Sequence, residues 1–219
     1  MKLFSESFPN QGVIPAEYAF AKIDEKTRVK LSNNKNPHLA WSDVPEGTQS
    51  FVVLCVDATS PTDAADVNQT DREIPADLPR ADFAHWVLIN IPADTREILA
   101  GEYTQEVTPK GKAGPVIAGL KDSPIRHGIN DYSHWFAGDH DMAGDYYGYD
   151  GPCPPWNDSL VHQYTFTVYA LDTVDLPLPP DGKLNLASVQ RRMHEHILAS
   201  ASWSGVYTLT PRLATALAI

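Results

Sequence analysis

The chain has 219 residues and a mass of 24.1 kDa, which is enough for one domain with a sizeable core. Its 28 acidic and 17 basic side chains give a formal net charge of −11, which argues against a nucleic-acid partner or an anionic membrane surface. Apolar runs such as residues 51–56 are far shorter than the ~20 residues of a transmembrane helix. The N-terminus has no apolar signal segment, and two cysteines make neither a disulfide framework nor a zinc site. We expect a soluble, cytoplasmic protein without metal or cofactor.

Short segments rich in β-branched and aromatic residues recur along the chain, separated by eighteen prolines and thirteen glycines. These residue types fit pleated, half-buried strands. Regularly spaced short strands with turns between them are typical of an all-β sandwich or barrel. In chain order, the strands with the strongest pattern are residues 51–57, 83–91, 162–171 and 202–209.

Three of these strands carry a polar side chain at one end of an apolar face. Asp57 ends the face of the first strand, His85 lies near the start of the face of the second, and His162 and Tyr164 begin the face of the third. The pattern alone favours hydrogen-bonded structural residues over a shared pocket, and spacing does not show that the strands are neighbours. In the second strand, a period of two predicts one shared face for Phe83, His85, Val87, Ile89 and Ile91.

Two long segments, residues 60–82 and 128–159, have no periodic pattern and are rich in aspartate. Loops of more than ~12–15 residues in one domain are usually functional or disordered, and the many aromatic residues of the second favour order. Residues 139–145 resemble a calcium loop only weakly, because a third oxygen ligand, the glutamate at the twelfth position and helical flanks are missing. A solvated acidic loop is the preferred interpretation.

One segment has the period of an amphipathic helix. It follows Asn185, a residue type common at helix N-caps. We therefore predict a single helix near the C-terminus, packed on a sheet. Its apolar positions recur at intervals of three and four: Leu186, Val189, Met193 and Ile197.

Seven segments carry a pattern that extends over nearly the whole chain: GVIPAEY (12–18), NPHLAWSDVPEGTQSFVVLCVDATSP (36–61), FAHWVLINIPADT (83–95), GIND (128–131), GYDGPCPP (148–155), HQYTFTVYALD (162–172) and HILASASWSGVY (196–207). Taken together and in this order, they resemble the phosphatidylethanolamine-binding proteins, in particular their bacterial Raf-kinase-inhibitor-like branch. The resemblance implies an antiparallel β-sandwich with a C-terminal helix and long loops, and a small anion pocket at one end of a sheet. The whole chain, residues 1–219, would form one such domain, with an acidic, aromatic insertion around residues 133–147.

The resemblance also implies the pocket residues. Imidazole, phenol and turn N–H groups would donate hydrogen bonds to a phosphate ester, beside the carboxylate of Asp57. Nothing in the motifs supplies an activated nucleophile with its base, so we predict binding without catalysis. Cys153, in the pocket turn, is predicted to be structural rather than reactive. Matched motif by motif, the predicted ligand-binding residues are Asp57, Phe83, His85, Gly151, Pro154, Pro155, His162 and Tyr164.

Three features depart from the family pattern. Thr59 replaces a second acid, which should weaken the bias toward a charged histidine. Gln163 replaces an arginine, on the strand face opposite to His162. The third is the insertion, whose aspartates and tyrosines we expect to form a rim that tolerates a ligand with a cationic amine beside its phosphate.

These observations predict a cytosolic protein that binds a phosphate-bearing ligand, such as a phosphoethanolamine-like headgroup or a phosphorylated group, with a regulatory role. The alternative is an inhibitor of a kinase or protease that acts through exposed loops such as residues 60–82 or 133–147. A third class is a hydrolase that uses His85 and His162. The resemblance also allows a homodimer.

Overall fold

A computed structural model describes residues 1–217 of the chain. No helix within these residues is long and apolar enough to cross a bilayer. The strands are β1 (Lys2–Phe4), β2 (Gly12–Val13), β3 (Ala21–Asp24), β4 (Arg28–Leu31), β5 (Leu39–Ser42), β6 (Ser50–Pro61), β7 (Arg80–Pro92), β8 (Glu97–Ile98), β9 (Arg126–His127), β10 (His162–Leu171) and β11 (Ile197–Tyr207). The helices are α1 (Tyr132–Trp135), α2 (Leu186–Met193) and α3 (Pro211–Leu217), with 3-10 turns at Ala16–Tyr18 and His194–His196.

The four long strands form a six-stranded sheet with the two-residue strands β2 and β9 at its edges, in the order β2-β11-β10-β6-β7-β9. A three-stranded sheet, β1-β5-β8, and the hairpin of β3 and β4 are separate from it. The prediction of a mainly β protein is confirmed. The finer prediction of a purely antiparallel sandwich is wrong, because β2 runs parallel to β11 and the strands divide among three sheets. The strand β2 has two residues, too few for a periodic pattern, and its partner β11 is almost 200 residues away in the sequence. The sequence therefore does not show whether the two strands run parallel or antiparallel.

The central strands of the six-stranded sheet, β6 and β7, are buried on both faces over most of their length. On one face, Phe51 and Phe166 belong to the main core, which includes Trp41 of β5. On the other face, Val52 packs in a second cluster with Val189 of α2. Each fully buried side chain of this kind contributes ~1.5–3 kcal/mol to the stability of the fold, so the sheet holds the side chains at its end in fixed positions.

The helix α2 occupies most of the segment where the apolar period predicts a helix. The Asn185 side chain accepts a hydrogen bond from the Ser188 N–H at 3.0 Å, which caps the first turn. Ile197 lies outside the helix, since the 3-10 turn His194–His196 ends it and Ile197 begins β11. The sequence predicted one helix, whereas the described residues also contain α1 and α3, which are too short to show a clear period.

A β-bulge interrupts β7 at His85. Cys55 of β6 pairs with Trp86, but the next residue of β6 pairs with Ala84, so His85 is an extra residue without a partner. Such a bulge redirects side chains locally. The predicted face shared by His85 and Val87 is therefore wrong: Val87 packs toward α2, while the His85 ring contacts side chains of the main core.

Candidate functional site

A cavity of about 380 Å³ opens where β6, β7 and β10 meet at one end of the six-stranded sheet. Strand register places Asp57 of β6 between Tyr164 of β10 and Phe83 of β7. The structure thus brings the polar strand ends noted in the sequence to one place. Of the predicted site residues, seven line the cavity: Asp57, Phe83, His85, Pro154, Pro155, His162 and Tyr164.

Gly151 is the predicted site residue that the structure places outside this cavity. Its N–H donates to Asn34 Oδ1 at 2.8 Å, and its carbonyl oxygen accepts from the Tyr132 hydroxyl at 2.7 Å. With both groups engaged, Gly151 has no donor left for a ligand. A side chain here would meet the Tyr18 carbonyl oxygen at 2.1 Å, so close packing explains the glycine.

His162 is held between two carboxylates. Its Nδ1 lies 2.7 Å from Asp57 Oδ2, and its Nε2 lies 3.0 Å from Asp158 Oδ2. Burial lowers the pKa of His162, but the two carboxylates more than offset this and raise the pKa to about 9. Both N–H groups of the imidazolium therefore donate to protein, so His162 orients Asp57 rather than donating to a ligand.

Asp158 is the residue that sequence reasoning missed. Burial raises its pKa, but hydrogen bonds from His162 and Arg80 bring the pKa down to about 2. The expectation that Thr59 weakens the bias toward a charged histidine is wrong, because Asp158 supplies the second negative charge. Thr59 instead donates its N–H and hydroxyl to Asp57. An acid four residues before His162 was visible in the sequence, but its loop has no period that would orient it.

Arg80 fixes the outer side of this cluster. Its guanidinium spans the Asp158 carboxylate, with Nη1 at 2.6 Å from Oδ2 and Nη2 at 3.0 Å from Oδ1. Two positive groups, Arg80 and His162, therefore balance the two carboxylates of Asp57 and Asp158. Within residues 1–217, no group of three or more His, Cys, Asp or Glu side chains is placed to hold a metal ion.

His85 is the histidine whose ring is available to a ligand. Its Nδ1 donates to the Asp150 carbonyl oxygen at 2.7 Å, which leaves Nε2 as an acceptor in the neutral ring. Burial lowers the pKa of His85, and the nearby charge of Asp57 only partly counters this. At neutral pH the cavity therefore contains one uncharged imidazole with a free ring nitrogen.

The side chain of Asp150 fixes the position of the Asp150 backbone carbonyl group, which accepts the hydrogen bond from His85. The carboxylate accepts hydrogen bonds from Asn34 Nδ2 at 2.7 Å and Asn130 Nδ2 at 2.8 Å, and it pairs with Lys112 Nζ at 3.0 Å. Because Asp150 is fully buried, three donors are needed to replace its lost hydration. The carbonyl oxygen that holds His85 is thereby fixed in position.

Two further groups lie at the cavity floor, a phenol that can donate a hydrogen bond and a thiol of low reactivity. The Tyr164 hydroxyl has no hydrogen-bond partner within the described residues, and burial keeps the pKa of this phenol well above its usual range. It is therefore a free donor. Burial raises the pKa of the Cys153 thiol to about 12, so Cys153 is a poor nucleophile at neutral pH.

The insertion at residues 133–147 contributes apolar side chains to the cavity, namely Trp135, Phe136 and Met142. Its charged side chains lie elsewhere: that of Asp141 is 85% exposed, and Asp145 pairs with Lys183 at 2.8 Å. The insertion thus reaches the cavity, as expected, with aromatic and apolar side chains, and none of its carboxylates is among the described lining residues. Since α1 has only four residues, the sequence pattern could not show which side chains face inward.

The family model of the phosphatidylethanolamine-binding proteins matches residues 4–208. The chain belongs to this family. A UPF0098 protein of Aquifex aeolicus (strain VF5) is 34% identical over 207 residues, which cover 94% of this chain and 88% of that protein. The UPF0098 protein YbhB of Escherichia coli (strain K12) is 31% identical over 208 residues, which cover 95% and 100%.

The crystal structure of Escherichia coli YbcL, described as a new member of the mammalian PEBP family, has a similar fold. Its TM-score is 0.63 with 24% identity, and the match covers 94% of this chain and 97% of that one. A putative phosphatidylethanolamine-binding protein homologue of Chlamydia trachomatis, CT736, has a TM-score of 0.56 with 23% identity, over 94% and 95%. Family membership gives the protein a general ligand-binding role.

Proposed function

We propose that the protein binds a small phosphate-bearing ligand at this cavity and does not transform it. One observation carries the proposal: the buried floor has a free phenol donor, Tyr164, beside a free imidazole acceptor, His85. Fixed hydrogen-bond networks hold the surrounding groups, so little reorganisation accompanies binding. A regulatory role follows as the simplest use of a protein that binds such a ligand without turnover.

The charge balance favours a phosphate monoester in its monoanionic form. The charges of Asp57 and Asp158 are matched by those of His162 and Arg80, so the floor has no excess positive charge to attract a dianion. A monoanion carries one P–OH group, which donates to His85 Nε2, and oxygens that accept from Tyr164. Because the second pKa of a phosphate ester is about 6, binding should weaken as the pH rises above that value.

Binding without catalysis rests on the lack of an activated nucleophile. Within residues 1–217, no serine or threonine hydroxyl is hydrogen-bonded to His85 or His162. The Cys153 thiol is protonated, and the ring nitrogens of His162 are both engaged. These features argue against the hydrolase alternative.

Titration calorimetry with methyl phosphate tests the proposal. We expect binding at pH 5.5 that weakens by about tenfold or more in Tyr164→Phe and in His85→Ala, since each loses a hydrogen bond to a charged group. Gln163→Ala is the matched control, because Gln163 is exposed on the other face of the same strand. Affinity equal in all four proteins, or no binding to the wild type, would contradict the proposal, as would stronger binding at pH 8.

Inhibition of a kinase or protease through exposed loops stays an alternative prediction. The acidic side chains of residues 60–82 and of the insertion would then form the contacts. A cytoplasmic location and a homodimer are likewise predictions from the sequence.

A further inference from the structure

The cavity continues beyond its polar floor along a row of aromatic rings. The Tyr132 ring lies 5.5 Å from the His85 ring, centroid to centroid. It stacks on Phe136 at 5.5 Å and on Phe20 at 4.7 Å, with interplanar angles of 18° and 15°. An apolar wall therefore begins directly beside the groups that would hold the phosphate.

The hairpin of β3 and β4 and the insertion contribute further apolar surface. Val29 and Leu31 line the cavity from the hairpin, while Trp135 and Met142 line it from the insertion. Leu31 is 55% exposed and Trp135 is 43% exposed, so both leave apolar surface open to water. A bound apolar group would cover this surface, and such coverage favours binding.

The outer cavity has no unpaired carboxylate for a cationic amine among its described lining residues. Asp57 is the carboxylate among the described cavity-lining residues, and His162 and Thr59 already occupy its oxygens. The charged side chain at the outer wall is Lys30, which pairs with Asp24 at 2.7 Å. The part of the ligand beyond the phosphate therefore meets mainly apolar surface and the positive charge of Lys30, with no carboxylate placed to pair with an ammonium group.

We propose that the ligand is a phosphate monoester whose organic group is apolar, an aromatic ring or a short alkyl chain, and that this group lies between the hairpin and the insertion. The inference rests on the proposed function, since it assumes that the phosphate occupies the floor. The cavity of about 380 Å³ lies at the lower end of the ~300–1,000 Å³ range of small-molecule sites. Phosphate alone would leave the apolar wall uncovered.

Calorimetry at pH 5.5 with four ligands tests the inference: methyl phosphate, phenyl phosphate, butyl phosphate and phosphoethanolamine. We expect at least one of phenyl and butyl phosphate to bind about tenfold or more tightly than methyl phosphate, since each buried methylene contributes ~0.8 kcal/mol. Which of the two binds more tightly distinguishes an aryl from an alkyl ligand. Phosphoethanolamine should bind no more tightly than methyl phosphate.

Two variants locate the apolar group, one on each side of the cavity. Met142→Ala and Leu31→Ala should each reduce the preference for the tighter apolar ester over methyl phosphate by about threefold or more. His140→Ala is the control, since His140 belongs to the same insertion and its side chain is 94% exposed. Circular dichroism verifies that each variant is folded.

The outcomes separate this inference from the proposed function. If methyl, phenyl and butyl phosphate bind the wild type equally, the apolar preference is wrong while phosphate binding stands. Tighter binding of phosphoethanolamine than of both apolar esters would also overturn it. If no phosphate binds, both proposals fail. A preference unchanged in both folded variants would overturn the location assigned to the apolar group.

Discussion

At the scale of single residues, the two cavity histidines have opposite roles because their partners differ. His162 faces two carboxylates, so the imidazolium is favoured and both of its N–H groups are used. His85 faces a backbone carbonyl group and aromatic rings, so the neutral ring is favoured. The sequence shows two similar histidines at strand ends, and only their hydrogen-bond partners distinguish the fixed cation from the available base.

The raised pKa of His162 predicts a pH dependence of stability. The folded-state pKa is about 9 and the ordinary value is 6.5, so this contribution is complete below pH 6.5 and is lost as the pH rises through 9. The shift corresponds to ~3 kcal/mol. We expect the free energy of unfolding of the wild type to fall by about that amount over this range, as measured by denaturant titration.

Asp158→Asn is the matched variant for this measurement. It removes one of the two carboxylates that raise the pKa of His162, so its free energy of unfolding should fall less steeply between pH 6.5 and 9.5. Parallel pH profiles for the two proteins would show that the charge of His162 does not stabilise the fold. NMR of the histidine ring gives a direct reading, with a midpoint near 9 in the wild type.

At the scale of elements, regular strands were predictable and irregular ones were not. The burial of β10 alternates as predicted, so His162 and Tyr164 share the apolar face of Phe166. The prediction for β7 is wrong because one extra residue at His85 moves Val87 and Ile89 to the other face of the sheet. A second register shift, between Leu88 and Ile91, returns Ile91 to the main core. A bulge leaves no trace in a run of apolar and aromatic residues, since both faces of this strand are buried.

The turn at Gly151 gives a prediction at the same scale. A methyl group there would meet the Tyr18 carbonyl oxygen, so Gly151→Ala should lower the free energy of unfolding by about 1–3 kcal/mol or more. Thermal unfolding measures this loss. The control is Gly138→Ala, since nothing lies within 4 Å of the added atom, and it should change stability by less than ~0.5 kcal/mol. Equal melting temperatures for the two variants would contradict the close packing at Gly151.

At the scale of the whole molecule, the Asp150 network joins segments that are far apart in the chain. Asn34, Lys112 and Asn130 come from three different loops and converge on one buried carboxylate. Family motifs include Asn130 and Asp150 but give no indication of Lys112, because that residue lies in a loop without any periodic pattern. Long-range polar contacts of this kind depend on the path of every loop, and local pattern does not determine them.

Loss of Lys112 should therefore be costly. Lys112→Met leaves the Asp150 carboxylate buried without its cation, and we expect a loss of ~3–5 kcal/mol in the free energy of unfolding. Lys183→Met removes an exposed ion pair with Asp145 and should cost less than ~1 kcal/mol. Denaturant titration compares the two. The double variant Lys112→Met/Asp150→Asn should recover part of the loss, and additive losses would indicate that the pair is not coupled.

The distribution of side chains in the insertion, residues 133–147, has a consequence for protein engineering. Its charged side chains are exposed, whereas Trp135 and Met142 line the cavity, although Trp135 is also 43% exposed. Exchanging either for another uncharged residue therefore reshapes the cavity wall and leaves the net charge of the molecule unchanged. The shape of the cavity can thus be varied independently of the electrostatics of the exterior.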